Sequence, residues 1–520
     1  MKSNVNRPRQ IVLIVFTLSF FSLQAQVQNI EPPEIRNFMP VVQFLASPLL
    51  EGRETGTVGS YIAAEYIASG MQSLGLKPYH KVADYNKTTL SDYFQSFSLL
   101  RYDIREASVS IVSRKNKQPP VQLLHQKDFT VENVFSNFSL QSNIVFAGYG
   151  INSPELNYND YAAQDVNGKL VVVFEGYPGQ HDTLSPAWKK FRILAENDGY
   201  DLDSRCREAA KQGAAAIVVI SNKYNQSKTP DDARLYHDSE YTLPSNEQLQ
   251  TIPLIMLTAE GSLILSERLR IDVVKIEKEI AQKLTYSSVL NIDFLNIRLK
   301  VNADTLKVHN VISLLPGSDT TKTVILGAHY DHLGKRGNDI YYGADDNASG
   351  VAGLLALAGK WTENQTIPPC NIAFASWTAE EKGLIGSEYF VSTLSAPEKV
   401  KLYINMDMIS RSISEDTAAR QLSIGTRIED EYLRVLANKS NATLNHPFTL
   451  DLWDVTGHSG SDYASFTAKN IPVMTYNTGL HDDYHTPLDI PASADLVKMG
   501  EVLNLINSSL QEVLENISGE

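Results

Sequence analysis

At 520 residues, with 43% hydrophobic and 20% charged residues, the chain is long enough for two or three packed cores and too apolar for extensive disorder. Its formal net charge of −14 disfavours nucleic acid as a partner, because a phosphate backbone requires a basic face. The two cysteines, Cys206 and Cys370, allow at most one disulfide and no cysteine zinc knuckle, so any metal must be held by nitrogen and oxygen.

The N-terminus joins basic residues (Lys2, Arg7, Arg9) to an apolar run from Ile11 to Phe21 and then Ser-Leu-Gln-Ala before Gln26. This is the layout of a secretory signal peptide over 1–25, cleaved after Ala25. The run is shorter than the roughly 20 residues of a membrane span, and no later stretch is long enough to cross a bilayer. The expectation is an exported chain, periplasmic or extracellular, with no span in its mature form.

From Glu31 to Pro78 the patterning is helical around a glycine-bearing loop, Arg53-Glu54-Thr55-Gly56, and the helix after it, Ser60–Leu74, is predicted to bury Ile62, Ala63, Tyr66, Ile67 and Met71 on one face. Gly75 and Pro78 end it. From about 102 to 300 strand-like runs (Ala107–Val112, Asn143–Ala147, Leu170–Phe174, Ala215–Ile220, Ile252–Leu257) alternate with polar loops, and a helix at Ser204–Gln212 leads into the run 213–220. The histidines of this region are scattered and read as surface residues.

After Val311 the alternation of strands and helices becomes regular. Predicted strands at Val324–Ala328, Asn371–Trp377, Leu402–Asn405 and Val473–Thr475 alternate with helices such as Ser349–Thr362 and a closing helix over Ser493–Leu514. Such an order predicts a mostly parallel sheet covered on both faces.

Several of these strands end in ionisable groups: Ala-His-Tyr-Asp-His (328–332), Gly-Ala-Asp-Asp-Asn-Ala-Ser-Gly (343–350), Thr-Ala-Glu-Glu (378–381) and Asn-Met-Asp-Met-Ile (405–409). His329 can bind a cation while Asp331, two residues on, accepts its other ring N–H. Asp346, in a glycine-flanked turn before a helix, can bridge two cations, although capping of that helix is the competing use. Of the adjacent Glu380 and Glu381, one can ligate metal and the other hold water. Asp407 and His485, within Tyr-His-Thr-Pro-Leu-Asp (484–489), complete the set. These residue types suit two zinc ions bridged by a carboxylate and a water, and the two histidines count against an oxygen-only calcium site.

These blocks resemble, in order, those of metallopeptidase family 28, which includes di-zinc aminopeptidases, glutamate carboxypeptidases and the transferrin-receptor ectodomain. Leu-Ala-Ser-Pro-Leu-Leu-Glu-Gly-Arg-Glu-Thr-Gly-Thr (45–57) is similar to the family's N-terminal part. Phe-Ala-Gly-Tyr-Gly-Ile (146–151) and Val-Asn-Gly-Lys-Leu-Val-Val-Val (166–173) resemble an inserted protease-associated domain. The resemblance implies an α/β fold of the phosphorylase/hydrolase-like zinc-peptidase kind, with a mixed, mostly parallel central sheet and flanking helices. The catalytic part would span 32–104 and 301–520, and a β-rich α/β insert 105–300.

The resemblance also implies site roles. His329 and Asp407 would hold one Zn2+, Glu381 and His485 the second, with Asp346 bridging. Glu380 would be the general base, Asp331 would orient His329, and Tyr484 would donate a hydrogen bond to the tetrahedral oxyanion. His332, Asp345, Asp462, His481 and Asp482 or Asp483 are expected to support these groups or the fold, and Arg53 and Glu54 to shape a pocket or form a loop salt bridge. The implied activity is that of a secreted aminopeptidase on peptides with a free N-terminus. A glutamate-releasing carboxypeptidase, a more distant glutaminyl cyclase and a non-catalytic receptor-like ectodomain are the alternatives.

Overall fold

The structure, a computed structural model, describes residues 38–112, 119–162, 164–195, 202–221, 239–244, 251–286, 294–363 and 367–519. The expected signal segment 1–25 lies outside the described residues. Among those described, no helix is long and apolar enough to cross a membrane.

In chain order the strands of four or more residues are β1 (Phe94–Val112), β2 (Phe129–Glu132), β3 (Phe138–Phe146), β4 (Leu170–Phe174), β5 (Ala216–Ile220), β6 (Ser239–Thr242), β7 (Leu254–Leu257), β8 (Phe294–Leu315), β9 (Asp319–His329), β10 (Cys370–Trp377), β11 (Val400–Met406), β12 (Gln421–Thr426), β13 (Thr449–Asp454) and β14 (Val473–Asn477). The helices are α1 (Phe38–Leu45), α2 (Val58–Ser73), α3 (Pro186–Ala195), α4 (Leu202–Lys211), α5 (Ala259–Leu269), α6 (Val273–Lys283), α7 (Gly350–Glu363), α8 (Ile385–Ser392), α9 (Glu431–Ala442), α10 (Tyr463–Thr467) and α11 (Leu496–Gly519).

The strand order β13-β12-β14-β11-β9-β10-β8 forms one half of the sheet system. Strands β10, β9, β11 and β14 run parallel, while β8 is antiparallel to β10 and β12 is antiparallel to β14. Strand β10 is buried at every position and β11 at all but one, as expected of strands covered on both faces. One face packs Leu326, Ile372, Phe374, Leu402 and Ile404 against α2, α7 and α11. The other packs Ile325, Ala373, Trp377 and Tyr403 against Phe390 of α8 and Phe466 of α10. The mixed, mostly parallel sheet expected from the strand-helix alternation is therefore present.

A second set, β3-β4-β5-β7-β2, is parallel except for β2 and has its own apolar clusters on both faces, around Val172 and Val218 and around Val171 and Val219. The two sets are joined by β1 and β8, an antiparallel ribbon paired from Phe94↔Val311 to Phe294↔Val112 with a bulge at Lys300/Val301. Sequence reading detects only the last six residues of β1. Its middle, from Leu100 to Arg105, is exposed or half-buried on both faces, so no period-2 alternation marks it.

Helix α2 also differs from expectation. Gly59, Ser60, Ala63, Ala64, Ile67, Ala68 and Met71 are its buried residues, whereas Ile62 is 42% exposed. Small alanines, not the larger Ile62, face the core, and they let α2 approach closely where it packs beside α7.

Candidate metal centre

Parallel strands deliver their carboxyl ends to one edge of the sheet, the place where α/β folds gather ligands. Strand β9 ends on His329, β10 leads into Thr378–Glu381, β11 leads into Asp407, and the segment after β14 carries His481 to His485. These positions, distant in sequence, converge.

Asp346 lies at the centre. Its Oδ1 is 3.2 Å from His329 Nε2, and its Oδ2 is 3.1 Å from His485 Nε2. His329 Nε2 is also 3.3 Å from Asp407 Oδ1, and His485 Nε2 is 3.4 Å from Glu381 Oε2. The carboxylate thus faces two imidazoles, each with a second carboxylate of its own. Capping of α7, the competing use of this turn, falls to Asn347. Its Oδ1 accepts the Gly350 N–H at 2.9 Å, and its Nδ2 donates to the Met406 carbonyl.

The electrostatics follow from burying many carboxylates together. Burial works against the imidazolium of His329, but Glu380, Asp407 and Asp346 outweigh it and hold its pKa well above the ordinary value. Burial also opposes charge on His485, yet hydrogen bonds to Asp346 and Glu381 lift it to about 10. For Asp346, His332 and its hydrogen bonds to His329 and His485 overcome burial and hold it well below the usual carboxylate range. Glu381 is lowered to about 2 against burial and against Asp346, chiefly by His332 and His485. Glu380 is the opposite case: burial, with Glu381, Asp407 and Asp462 nearby, raises it well above the usual range despite His329. Adjacent glutamates with pKa values pushed apart fit one ligand and one proton carrier.

The donor set fits cations. Ligand atoms of His329, Glu380 and Asp407 all lie within 4.8 Å of one another, and so do those of His332, Asp346 and Glu381. Imidazole nitrogen and carboxylate oxygen are zinc donors, and so many buried carboxylates call for positive charge. The first triad shows that Glu380 is also within reach of a cation held by His329 and Asp407. His332, expected to play a supporting part, places Nδ1 2.7 Å from Glu381 Oε1 and 3.6 Å from Asp346 Oδ2. Its Nε2 is buried with no partner.

The expected pairing of Asp331 with His329 takes a different form. His329 Nδ1 meets the main-chain carbonyl of Asp331 at 3.2 Å, and the carboxylate is 4.0 Å away. That carboxylate instead accepts the Thr55 hydroxyl at 2.8 Å and the Glu380 N–H at 3.1 Å. Tyr484 stacks on His485, ring centroids 3.8 Å apart.

Supporting groups surround this layer. Arg53 is fully buried and donates to the carbonyls of Tyr330, Leu45, Tyr342 and Gly343, tying the end of β9 to the turn that carries Asp346. Among the described residues it is held by carbonyls and forms no loop salt bridge. Burial lowers its pKa to about 10, against the pull of Asp346, Asp489 and Asp331. Glu54 does pair, with Arg336 and Lys382. Asp489 accepts the N–H groups of Asp345 and Asp346, and Asp345 those of Ser410 and Arg411. His481 Nε2 lies 3.5 Å from Asp345 Oδ2. Asp482 takes the Ser414 hydroxyl and Asp483 the Arg411 guanidinium. Asp462 is fully buried, and burial raises it to about 7.

The backbone at the site is unusual. Ala379, Met408 and His485, each beside or within the cluster, have φ of 57°, 57° and 56°, a region that costs a non-glycine residue on the order of 1 kcal/mol. Gly343 (φ +57°) opens the Asp346 turn, and a Cβ there would lie 2.0 Å from the Asp346 carbonyl and 2.5 Å from the His332 ring. Arg53 and Asp489 fall within the segments 45–57 and 484–489, but their partners here are main-chain groups, most of them far away in the chain, so these roles leave no signal in the sequence.

An α/β sheet with clustered imidazoles and carboxylates at its carboxyl edge offers the donor set of a metal centre. The chain carries a peptidase family M28 domain: the profile described as Peptidase family M28 matches residues 310–509. Over 179 residues the chain is 33% identical to the probable leucine aminopeptidase 2 of Arthroderma benhamiae, a match covering 33% of each protein. Over 103 residues it is 38% identical to the leupeptin-inactivating enzyme 1 of Streptomyces exfoliatus, covering 19% of this chain and 22% of that one. The matched segment thus spans about a third or less of these relatives' length.

The fold likeness extends further. The aminopeptidase from Aneurinibacillus sp. strain AM-1 superposes with a TM-score of 0.61 at 20% identity, covering 92% of this chain and 93% of that one. The zinc aminopeptidase BSAP from Bacillus subtilis gives 0.54 at 19% identity, covering 93% and 96%.

Proposed function

We propose that the protein is an exported di-zinc aminopeptidase that removes N-terminal residues from peptides. The observation that carries this reading is Asp346, whose two oxygens face His329 and His485 at 3.2 and 3.1 Å. His329 and Asp407 would hold one zinc, Glu381 and His485 the other, with Asp346 between them. When bound, the ions supply Lewis acidity toward the scissile carbonyl and lower the pKa of water.

The chain's own groups do the rest. Glu380, whose carboxyl is biased toward holding a proton, takes one from the attacking water and gives it to the leaving amine. Tyr484, held against His485, donates its hydroxyl to the developing oxyanion. The Asp331 carboxylate anchors the main chain of Glu380 and so aims its side chain. The surplus of buried carboxylates suits a substrate amine, which favours N-terminal over C-terminal recognition.

Export is read from the basic, apolar and small-residue layout of 1–25. The segment 105–300 is read as a protease-associated insert that narrows access to the site. In support, strand β6 pairs with β1 and its Tyr241 ring lies under Lys382, the residue after Glu381 (5.1 Å).

The test uses aminoacyl chromogenic substrates and matched peptides blocked at either end, before and after chelation. Hydrolysis of free-amine substrates, lost with chelator and restored by zinc, is the expected result. Hydrolysis of N-blocked but not C-blocked peptides would make the protein a carboxypeptidase. Zinc content near zero in purified protein would make it a binding ectodomain.

A further inference from the structure

Asp407 is held from inside the sheet by a run of uncharged side chains whose donors and acceptors can be assigned without ambiguity. Trp377 Nε1, which can only donate, gives its hydrogen to Tyr403 Oη at 2.9 Å. The tyrosine hydroxyl, an acceptor there, donates onward to Asn405 Oδ1 at 2.7 Å. This fixes the amide orientation, so that Asn405 Nδ2 donates to Ser461 Oγ at 2.9 Å and to Thr475 Oγ1 at 3.2 Å. Ser461 in turn donates to Asp407 Oδ2 at 2.7 Å. Trp377 and Tyr403 are fully buried, and Asn405 and Ser461 are 1% and 4% exposed.

The strands set this run up. Tyr403 and Asn405 stand two apart on β11 and share a face, and Asn405 is in register with Thr475 of β14 and with Gly327 of β9. Gly327 is required by the close approach. A Cβ there would lie 2.5 Å from Tyr403 Oη and 2.6 Å from Trp377 Nε1, the first two members of the run. Phe466 stacks on Tyr403 at 3.7 Å and blocks ring movement from the other side. Oδ2 is thus occupied from below, while Oδ1 faces His329 Nε2 at 3.3 Å.

We propose that Trp377, Tyr403, Asn405 and Ser461 are positioning residues for the cation centre of His329 and Asp407. They hold Oδ2 as an acceptor and turn Oδ1 toward His329, so that this half of the site is preorganised from within the sheet. The inference rests on the reading of Asp407 as a metal ligand.

The experiment is an equilibrium zinc titration of the full chain against a chromophoric chelator, on the parent protein and on Tyr403→Phe, Ser461→Ala, Ser461→Thr and Asp407→Ala. Outer partners of metal ligands typically tune affinity by about 10–100-fold. The expected result is a loss of that size for one zinc equivalent in Tyr403→Phe and Ser461→Ala, with the second equivalent unchanged. Ser461→Thr, which keeps the hydroxyl, should recover most of the loss.

If Asp407→Ala loses one equivalent while Tyr403→Phe and Ser461→Ala bind both as the parent does, the positioning role is overturned and the ligand reading stands. If Asp407→Ala itself keeps both affinities, the ligand reading fails. Should Tyr403→Phe not fold, Ser461→Ala at the site end of the run decides alone. Equal weakening of both equivalents in the two variants would mark a general packing role and would also overturn the proposal.

Discussion

His329 Nδ1 faces the main-chain carbonyl of Asp331 at 3.2 Å, not the Asp331 carboxylate, which lies 4.0 Å away. The carbonyl fixes the imidazole tautomer, and the carboxylate is left to hold Thr55 and the Glu380 N–H. Asp331→Ala should therefore keep its zinc content while turnover falls by about 10–100-fold through a loosened Glu380, the range for supporting groups at such sites. Zinc analysis alongside kcat decides it. Loss of zinc in step with turnover would return the orienting role to the carboxylate.

Arg53 donates to four carbonyls from a fully buried position. Removing it leaves those acceptors unsatisfied at a cost of about 1–3 kcal/mol each where relaxation fails. Arg53→Met is expected to destabilise the chain by more than about 3 kcal/mol in urea unfolding, at the severe end for one substitution. Arg53→Lys should recover only part, because an ammonium lacks the planar fork that reaches carbonyls on several sides.

Zinc loading should release protons. In chelated protein, His329 is held well above its ordinary pKa and His485 at about 10, so both imidazoles are charged at pH 7. Binding requires neutral imidazole, so at least two protons should leave as the site fills, with more where the raised Glu380 carboxyl also ionises, and affinity should rise with pH. Calorimetric titration in buffers of different protonation enthalpy measures the number. Zero net release would contradict this charge balance.

A separate pH effect belongs to the second core. Burial raises Asp160 to about 6, against hydrogen bonds from Tyr158 and from the N–H groups of Ile151 and Tyr149. Below its ordinary value of 3.8 neither the folded nor the unfolded carboxyl is ionised and there is no penalty. As pH rises toward about 6 the unfolded state ionises first, so the folded state loses stability across that window and then levels off. Asp160→Asn removes this term. Its melting temperature relative to the parent should rise between pH 4 and pH 7, and a constant difference would contradict the assignment.

Much of the candidate site was legible in the sequence because strand ends expose their chemistry as short apolar runs closing on His, Asp or Glu. His329, Glu381 and Asp407 follow that pattern, Asp346 stands in a glycine-flanked turn and His485 in a loop block well beyond Asp407, and the structure brings all five together. The relations that were not legible depend on register and on main-chain partners. Arg53 bonds only to carbonyls, which every residue has. The contact of Asn405 with Ser461 depends on how the segment after β13 returns to the sheet. The ribbon of β1 and β8 escaped for another reason: its middle is not buried on either face, so it lacks the alternation by which strands are recognised.

The central claim is the division of labour between two adjacent glutamates. It is a sharp question because Glu380 lies within ligand distance of His329 and Asp407, as Glu381 does of His332 and Asp346. The most direct measurement is zinc stoichiometry and kcat on Glu380→Gln and Glu381→Gln in parallel. The account predicts that Glu380→Gln retains both zinc equivalents and loses about 10²–10⁴-fold in turnover, the range for a general base, while Glu381→Gln loses one equivalent. Full turnover in Glu380→Gln, or loss of zinc from it with none lost from Glu381→Gln, would contradict the account.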